Sequence, residues 1–420
     1  MLYQFTLGNY RSFYKKRTLS LMAEGISEAP TDNIAIDGKQ KVLKTLAIYG
    51  ANSSGKSNLV KAISEMRLMV LKSNKLNDDE NLRHFPFLFQ VGANQEPTFF
   101  EIVFSNHTTV YRYGFEYNRE KIVSEWLFEK KGRGEKLLFI RTNEGIDWDE
   151  KVFQEGNMPD SVNLNDNRLF LSLCNQLGGK VSKSIMSWFQ NDLSVISGLT
   201  NQYYRTYTQR LFKEKDPKSD KALALFKDLQ LGFNQLRVHE EPNVMFNGEV
   251  PSDLVEFFKG NEKRTVVDSS HNLYTKTGKV CGTVDIPFEE YESDGTQKLF
   301  DLSGPMFNVL SEGSTLVIDE LDAKMHPLIS QYLISIFNSP TKNPHNAQLV
   351  FTTHDTHLLS SHLLRRDQIW FTEKDQAEQT DLYNMMDIVL PDGTKPRNDS
   401  NYEKNYVAGR YGAVPYIIND

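Results

Sequence analysis

The sequence predicts an α/β protein in which a parallel sheet carries an antiparallel β lobe and a helical insert. Three observations carry that expectation. Thr45-Leu-Ala-Ile-Tyr49 is short, apolar and partly β-branched, and it runs directly into Gly50-Ala-Asn-Ser-Ser-Gly-Lys-Ser57. Leu59, Ile63, Met66 and Val70 then recur at helical spacing, so a buried strand, a glycine-bearing loop and a helix follow one another. From Tyr291 onward helix and strand patterns alternate again, whereas residues 98–141 read as an antiparallel meander broken by turn residues.

Taken in order, Leu2–Leu7 alternates like a strand, Asn9-Tyr-Arg-Ser-Phe13 makes a turn, and Thr18–Met22 returns as its hairpin partner. The meander strands are placed at 98–104, 110–117, 121–129 and 136–141. From about Lys151 to Leu231 the pattern becomes short amphipathic helices, with Val181, Ile185, Trp188 and Phe189 on one face and Ala222, Leu225, Phe226 and Leu229 on another. No heptads are sustained, so a long coiled coil is not expected. Strand-like runs return at 235–239, 265–267 and 280–286. The expected division is 1–150 (phosphate loop and β lobe), 151–232 (helical insert) and 233–420 (the second half of the sheet).

Composition narrows the classes. Hydrophobic residues make up 39% and charged residues 25% of the 420, an ordinary globular balance. A net charge of −7 argues against a surface built wholly for nucleic acid. Cys174 and Cys281 have no metal-ligand spacing and give no disulfide framework. No apolar run approaches membrane-spanning length, and the start Met1-Leu-Tyr-Gln-Phe5 lacks the basic residues of a secretory signal. A cytoplasmic protein with no membrane partner is expected.

Residues Gly50 to Ser57 match G-x-x-x-x-G-K-[ST]. Gly50 and Gly55 let the backbone turn tightly, so the loop from Asn52 through Ser53 and Ser54 to Asn58 offers N–H groups to phosphate oxygens at a helix N-terminus. Lys56 neutralises the β- and γ-phosphates and Ser57 ligates Mg²⁺. A nucleoside triphosphate is the expected ligand, with ATP and Mg²⁺ as cofactors.

Such a loop needs a carboxylate for the metal and a base for water. Ser314-Thr-Leu-Val-Ile-Asp-Glu320 is an apolar strand ending in both: Asp319 is placed for Mg²⁺ and Glu320 for the attacking water. Alone, the run would read as a buried strand followed by surface acids; the phosphate loop favours the site. Leu349-Val-Phe-Thr-Thr353 ends in His354, on the ligand-binding edge of a parallel sheet, where it can hydrogen-bond a γ-phosphate. The run His354-Asp-Thr-His357 is not read as a metal site. Glu292-Ser-Asp-Gly-Thr-Gln-Lys298 opens a helical stretch and reads equally as an anion-binding helix end or a plain cap.

A phosphate loop, a Ser-x-Gly helix start, a strand ending in Asp-Glu and a strand ending in His, in that order, resemble the ABC-type ATPase heads of the SMC, RecF and OLD proteins. The resemblance implies a dimer with two nucleotides sandwiched between heads, Ser293 and Gly295 of one copy closing over the γ-phosphate held by the other. It places Asn52 near the γ-phosphate, Glu320 as base, His354 as switch and Asp319 at the metal. Asn9-Tyr-Arg-Ser-Phe13 looks like the amino-terminal motif of these heads, which brings Arg11 close to the nucleotide. Gln90 is the candidate for the metal-contacting glutamine. Two departures, Ser-Asp-Gly-Thr-Gln297 for the transporter signature and His326 where an Asp is usual, look like the OLD-type subgroup. Arg112–Glu116, Val123–Leu127 and Glu403–Ile417 look like the compact RloA/AriA-type bacterial ATPases. That group implies phage defence, with a separate RloB-like or TOPRIM-domain effector nuclease and a DNA or phage-protein trigger.

The leading expectation is therefore an ATP-dependent sensor and scaffold that dimerises, or assembles further, on ATP. The alternative is a RecF- or SMC-like repair clamp acting on DNA. A third class, an intrinsic ribonuclease site at Arg264 and His271, is set against ordinary surface residues. Phe85, Phe87 and Phe89 read as core or interface packing.

Overall fold

A computed structural model describes residues 1–26, 30–131, 134–158, 164–198, 202–242, 263–390 and 393–415. Two compact units emerge: Met1–Leu199 with Val309–Ala323 and Ser330–Asp420, and Thr200–Asn308 with Lys324–Ile329.

In the first unit β1 (Leu2–Gly8) pairs with β2 (Arg17–Ser20), and β3 (Ile34–Asp37) with β4 (Gln40–Leu43). β5 (Thr45–Tyr49) leads into α1 (Lys56–Lys72). The meander consists of β6 (Thr98–Asn106), β7 (Thr109–Tyr117), β8 (Ile122–Lys131), β9 (Gly134–Thr142) and β10 (Gly145–Trp148). With the first two strands it makes an antiparallel sheet of order β10-β9-β8-β7-β6-β1-β2. α2 (Phe170–Gln176), α3 (Lys180–Ser187) and β11 (Leu193–Ser197) follow.

The second unit holds α4 (Gln202–Lys213), α5 (Pro217–Asp228), the antiparallel strands β12 (Phe233–Pro242), β13 (Lys263–Tyr274) and β14 (Val280–Pro287), a short α6 (Phe288–Tyr291), and α7 (Asp294–Glu312) as far as Asn308. Phe226, Phe233, Phe288 and Phe300 pack ring against ring there, and Arg205 pairs at 2.8 Å with the buried Asp301. Returning to the first unit, the chain forms β15 (Thr315–Asp319), most of α8 (Pro327–Asn338), β16 (Gln348–Thr352), β17 (Ile369–Lys374), β18 (Thr380–Asn384) and α9 (Tyr402–Val407).

The second sheet of the first unit has the order β11-β15-β16-β5-β17-β18, parallel except at its last pair. Every residue of β5 and β16 is buried, as an apolar run covered on both faces requires. The position of β16 matters most: it separates the phosphate-loop strand from the strand that ends in Asp319. Its first residue, Gln348, is fully buried and makes four bonds: it accepts from Leu2 N (2.6 Å) and the Thr315 hydroxyl (3.0 Å), and donates to Leu2 O (3.0 Å) and Leu43 O (3.1 Å). One satisfied amide thus ties the amino-terminal strand to the parallel sheet. A single core joins both sheets to α1: Leu59, Ile63, Met66 and Val70 share it with Phe5, Phe100 and Phe104, and with Ile48, Val317 and Val350.

The amino-terminal hairpin, the meander and the strand–loop–helix unit lie where the sequence places them. The stretch read as short helices differs, because Leu193–Ser197 joins the parallel sheet beside β15, Ile196 opposite Ile318. A five-residue strand whose partner among the described residues is over a hundred positions away has no local signature. Among the described residues no helix is long and apolar enough to cross a membrane.

The Val123–Leu127 stretch owes its glutamate to a helix end. Glu125 is fully buried, and its carboxylate accepts from Phe170 N (2.6 Å), Leu171 N (3.0 Å) and the Tyr113 hydroxyl (2.9 Å), with Arg141 at 4.0 Å. It satisfies the orphan N–H groups of α2, whose own chain supplies no cap. Burial pushes its carboxyl up, and Arg141 with the three donors holds it down. Glu125→Ala should cost about 3–5 kcal/mol by leaving these donors and Arg141 uncompensated, read as a lower melting temperature, with Glu125→Gln losing less.

Candidate nucleotide-binding and catalytic site

Because β5 is pinned between β16 and β17, the loop that leaves it starts from a fixed point. A Cβ on Gly50 would lie 2.5 Å from Thr372 O, and one on Gly55 (φ 115°) 2.4 Å from the Thr380 hydroxyl, so both glycines are required by close approach. Ser53 also takes a left-handed φ of 62°. Gly55 caps α1 with no side-chain partner, leaving the first N–H groups of a seventeen-residue helix available to an anion. Hydroxyls brace the loop from behind. Ser54 Oγ lies 2.7 Å from Thr372 Oγ1, the Thr380 hydroxyl donates to Ser54 O (2.9 Å), and Asn58 Nδ2 donates to Ser12 Oγ (2.8 Å). Lys56 Nζ donates to Gly50 O (2.8 Å) and Ala51 O (3.0 Å).

The second half arrives on β15 and β16. Thr352, buried at the end of β16, accepts the Glu320 N–H at 2.7 Å and donates its hydroxyl proton to Asp319 Oδ1 at 2.7 Å. Its carbonyl takes Leu321 N–H at 3.1 Å. Glu320 itself sits at φ 58°, a left-handed conformation that costs a non-glycine residue energy. Gly198, just past β11, donates its N–H to Asp319 O at 2.6 Å, and a Cβ there would fall 2.1 Å from Glu320 O. Two residues past β16, His354 donates its backbone N–H to Asp322 Oδ2 at 3.3 Å.

Asn52, Ser53, Ser54, Gly55, Lys56, Ser57, Asn58, Arg11, Glu320 and His354 line one cavity of about 840 Å³. Gly50 begins its loop, and Asp319 precedes Glu320 at the strand end. Arg11, at φ 52°, has its guanidinium 4.5 Å over the Phe85 ring and its Nε 3.3 Å from the Tyr10 hydroxyl. Gln90 does not join this set. It is exposed, in a turn whose carbonyl takes Ala93 N–H at 3.2 Å, because the buried Phe87 anchors the segment and leaves Leu88 and Phe89 on the cavity wall. Ser293 and Gly295 belong to the second unit, where Ser293 Oγ accepts Thr296 N–H (3.2 Å) as the cap of α7. A Cβ on Gly295 would lie 2.7 Å from Lys324 O, so that position takes no side chain without a shift.

Several lining or bracing residues carry no motif of their own: Thr352, Asp322, Lys374, Thr372 and Thr380. Ser12 lay inside a motif already singled out. Phe85 and Phe89 line the cavity, and of the three aromatics only Phe87 is buried. Arg264 and His271 are seven apart on β13 and therefore face opposite sides. Arg264 pairs with Glu241 at 3.2 Å and His271 with Glu292 at 2.8 Å, so they do not form one site.

Electrostatics suit a polyanion. Burial lowers the Lys56 ammonium to about 8, while Asp319, Glu320 and Asp322 keep it from falling further. Burial and the Lys56 charge lower His354, so its ring is neutral at pH 7. Asp319 and Ser57 offer only hard oxygen donors, and no cluster of three or more metal-binding side chains occurs among the described residues. That set fits Mg²⁺, which takes one or two protein oxygens and fills its shell from phosphate and water.

Two outcomes follow from this geometry. A bound triphosphate holds Lys56 protonated, so above about 8 binding must draw in a proton. ATP affinity should then fall by at most about tenfold per pH unit, and Lys56→Arg should flatten that dependence in calorimetric titrations at several pH values. Gly198→Ala should push on the Glu320 carbonyl and lower ATP turnover by roughly 10- to 100-fold while ATP affinity holds, measured by phosphate release and titration on the same preparation.

Residues 46–360 match the family described as "AAA domain, putative AbiEii toxin, Type IV TA system". No curated protein matches the chain. Among solved structures the chain is similar to the SMC head bound to the C-terminal winged-helix domain of ScpA (14% identity, 91% of this chain, 97% of that one, TM-score 0.47). It is also similar to the SMC head domain from Thermotoga maritima (12% identity, 91% and 98% covered, TM-score 0.34). With about three quarters of its length inside the family match, and the phosphate loop, Glu320 and His354 all within it, the chain belongs to this AAA-domain family.

Proposed function

We propose that this protein is an ATPase of a bacterial phage-defence system that dimerises on ATP and thereby controls a separate effector nuclease of the RloB or TOPRIM kind. The observation that carries the reading is the convergence of Lys56, Glu320 and His354 on one cavity, with Thr352 binding both acidic residues of the β15 end. The family's toxin–antitoxin description supports the defence setting.

Each residue has a task. The N–H groups at the start of α1 and the Lys56 ammonium hold the triphosphate. Asp319 and Ser57 would hold Mg²⁺, which would supply charge neutralisation for the bound phosphates. Glu320 orients and deprotonates the attacking water, held in place by Thr352 and Gly198. His354, neutral at pH 7, hydrogen-bonds the γ-phosphate, and its peptide N–H on Asp322 ties that contact to the loop beyond Glu320. Ser293 and Gly295 of a second copy complete the pocket, so the triphosphate joins two subunits and hydrolysis releases them.

The Glu320→Gln protein with ATP and Mg²⁺ tests this reading. Hydrolysis should fall by about 100-fold or more, and sedimentation should show a dimer or larger species that the nucleotide-free protein lacks. An unchanged sedimentation profile in saturating ATP would rule out nucleotide-driven assembly.

A further inference from the structure

The phosphate chemistry leaves part of the cavity wall unused. Beside the phosphate loop, the wall is built from the segment that precedes β6, and Leu88 and Phe89 on it are 71% and 66% exposed. With Phe85 and Pro86 they give the pocket an apolar side next to its polar phosphate cradle, and covering that side with a ligand is favourable. They are held rigidly. Phe87, 1% exposed, anchors the segment; its N–H donates to Asn9 Oδ1 at 3.0 Å, and Arg11 N–H donates to Phe85 O at 2.7 Å. The Phe89 ring stands edge-on to Phe87 at 5.6 Å, which in turn meets Tyr14 at 5.6 Å. The Arg11 guanidinium carbon lies 4.5 Å from the Phe85 ring centroid in the same wall. The result is a preformed aromatic platform continuous with the phosphate cradle.

We infer that this platform takes the nucleobase: with the triphosphate on the loop, a purine stacks on Phe89 and is flanked by Leu88, and the Arg11–Phe85 stack backs the same wall. The inference rests on the nucleotide-binding reading above and deepens it by assigning the base end of the site. A purine is favoured over a pyrimidine because its larger π-face covers more of the platform, and stacking is indifferent to the hydrogen-bonding edge. The site should therefore accept ATP and GTP more evenly than it accepts UTP or CTP.

The test compares ATP with inorganic tripolyphosphate by calorimetric titration of the full chain, as wild type, Phe89→Ala, Leu88→Ala and Phe89→Trp. Phe89→Ala should weaken ATP by roughly 5- to 100-fold and leave tripolyphosphate unchanged. Leu88→Ala should act in the same direction more weakly, and Phe89→Trp should bind ATP as well as the wild type does. Because both residues are exposed, neither truncation removes core packing. Equal ATP affinity in the wild type and Phe89→Ala would overturn the platform while leaving the phosphate loop intact. An equal loss of tripolyphosphate and ATP would also overturn it, by showing that Phe89 acts through the cradle. A wild-type protein that bound neither compound would instead remove the nucleotide reading itself.

Discussion

The insertion of β16 between the phosphate-loop strand and the acidic strand is the constraint on which the rest of the site depends. A parallel ladder sets the ends of β5, β16 and β15 side by side, and β16 ends in Thr352. That hydroxyl has one proton and two lone pairs, and it uses both kinds: it donates to Asp319 and accepts from the Glu320 peptide. His354 follows two residues later on the same chain. The end of β16 therefore carries both His354, the proposed γ-phosphate contact, and the hydroxyl that holds the Glu320 peptide at the end of β15. Moving His354 to meet a phosphate must disturb Thr352 or Asp322, both within two residues of it or bonded to it. The coupling needs no long pathway, because it is a matter of adjacent backbone.

The phosphate cradle is braced by neutral groups, and the choice has an electrostatic logic. Loop carbonyls and hydroxyls facing inward need donors. Supplying them from carboxylates is impossible, and supplying them from further cations would bury more charge. Thr372, Thr380, Ser12 and Asn58 meet the need without altering the field at Lys56. The potential seen by a triphosphate is then set by Lys56, Arg11 and the helix N-terminus against the three carboxylates of the β15 end. In the free protein burial outweighs the three carboxylates at Lys56, which is lowered to about 8. A polyanion with its bound cation tips that balance.

Much of this was readable from residue order. The loop from Gly50 to Ser57 and the run ending in Asp319-Glu320 each compress strand, turn and charge into eight residues or fewer, so local pattern suffices. What escaped was non-local. β11 has five residues and a partner beyond residue 300. Thr372 and Thr380 lie on a hairpin with no motif and act only because β17 runs beside β5. The Thr-Thr-His run was visible, yet which threonine reached Asp319 depended on the register of β15 against β16. Phe85, Phe87 and Phe89 read as core or interface packing, but only Phe87 is buried, and Phe85 and Phe89 line the cavity. Gln90 fails for the same reason, since a position chosen by its place before the meander is decided by how Phe87 anchors the turn.

The strain at Glu320 gives the last step. A left-handed conformation at a non-glycine residue costs of order 1–3 kcal/mol, and a net hydrogen bond returns about 0.5–1.5 kcal/mol. The bonds around Glu320 include its own N–H to Thr352, the Leu321 N–H to the Thr352 carbonyl, the Gly198 N–H to the Asp319 carbonyl and the Ala323 N–H to the Glu320 carbonyl. Their sum is comparable with the strain, so the catalytic conformation is held with little to spare and by two different strands. A conformation held in this way is sensitive to small displacements of β11 or β16 that need no rearrangement of the phosphate loop. Under the proposed function, nucleotide would then stay bound while hydrolysis waits, as a subunit using ATP to hold an assembly together would require.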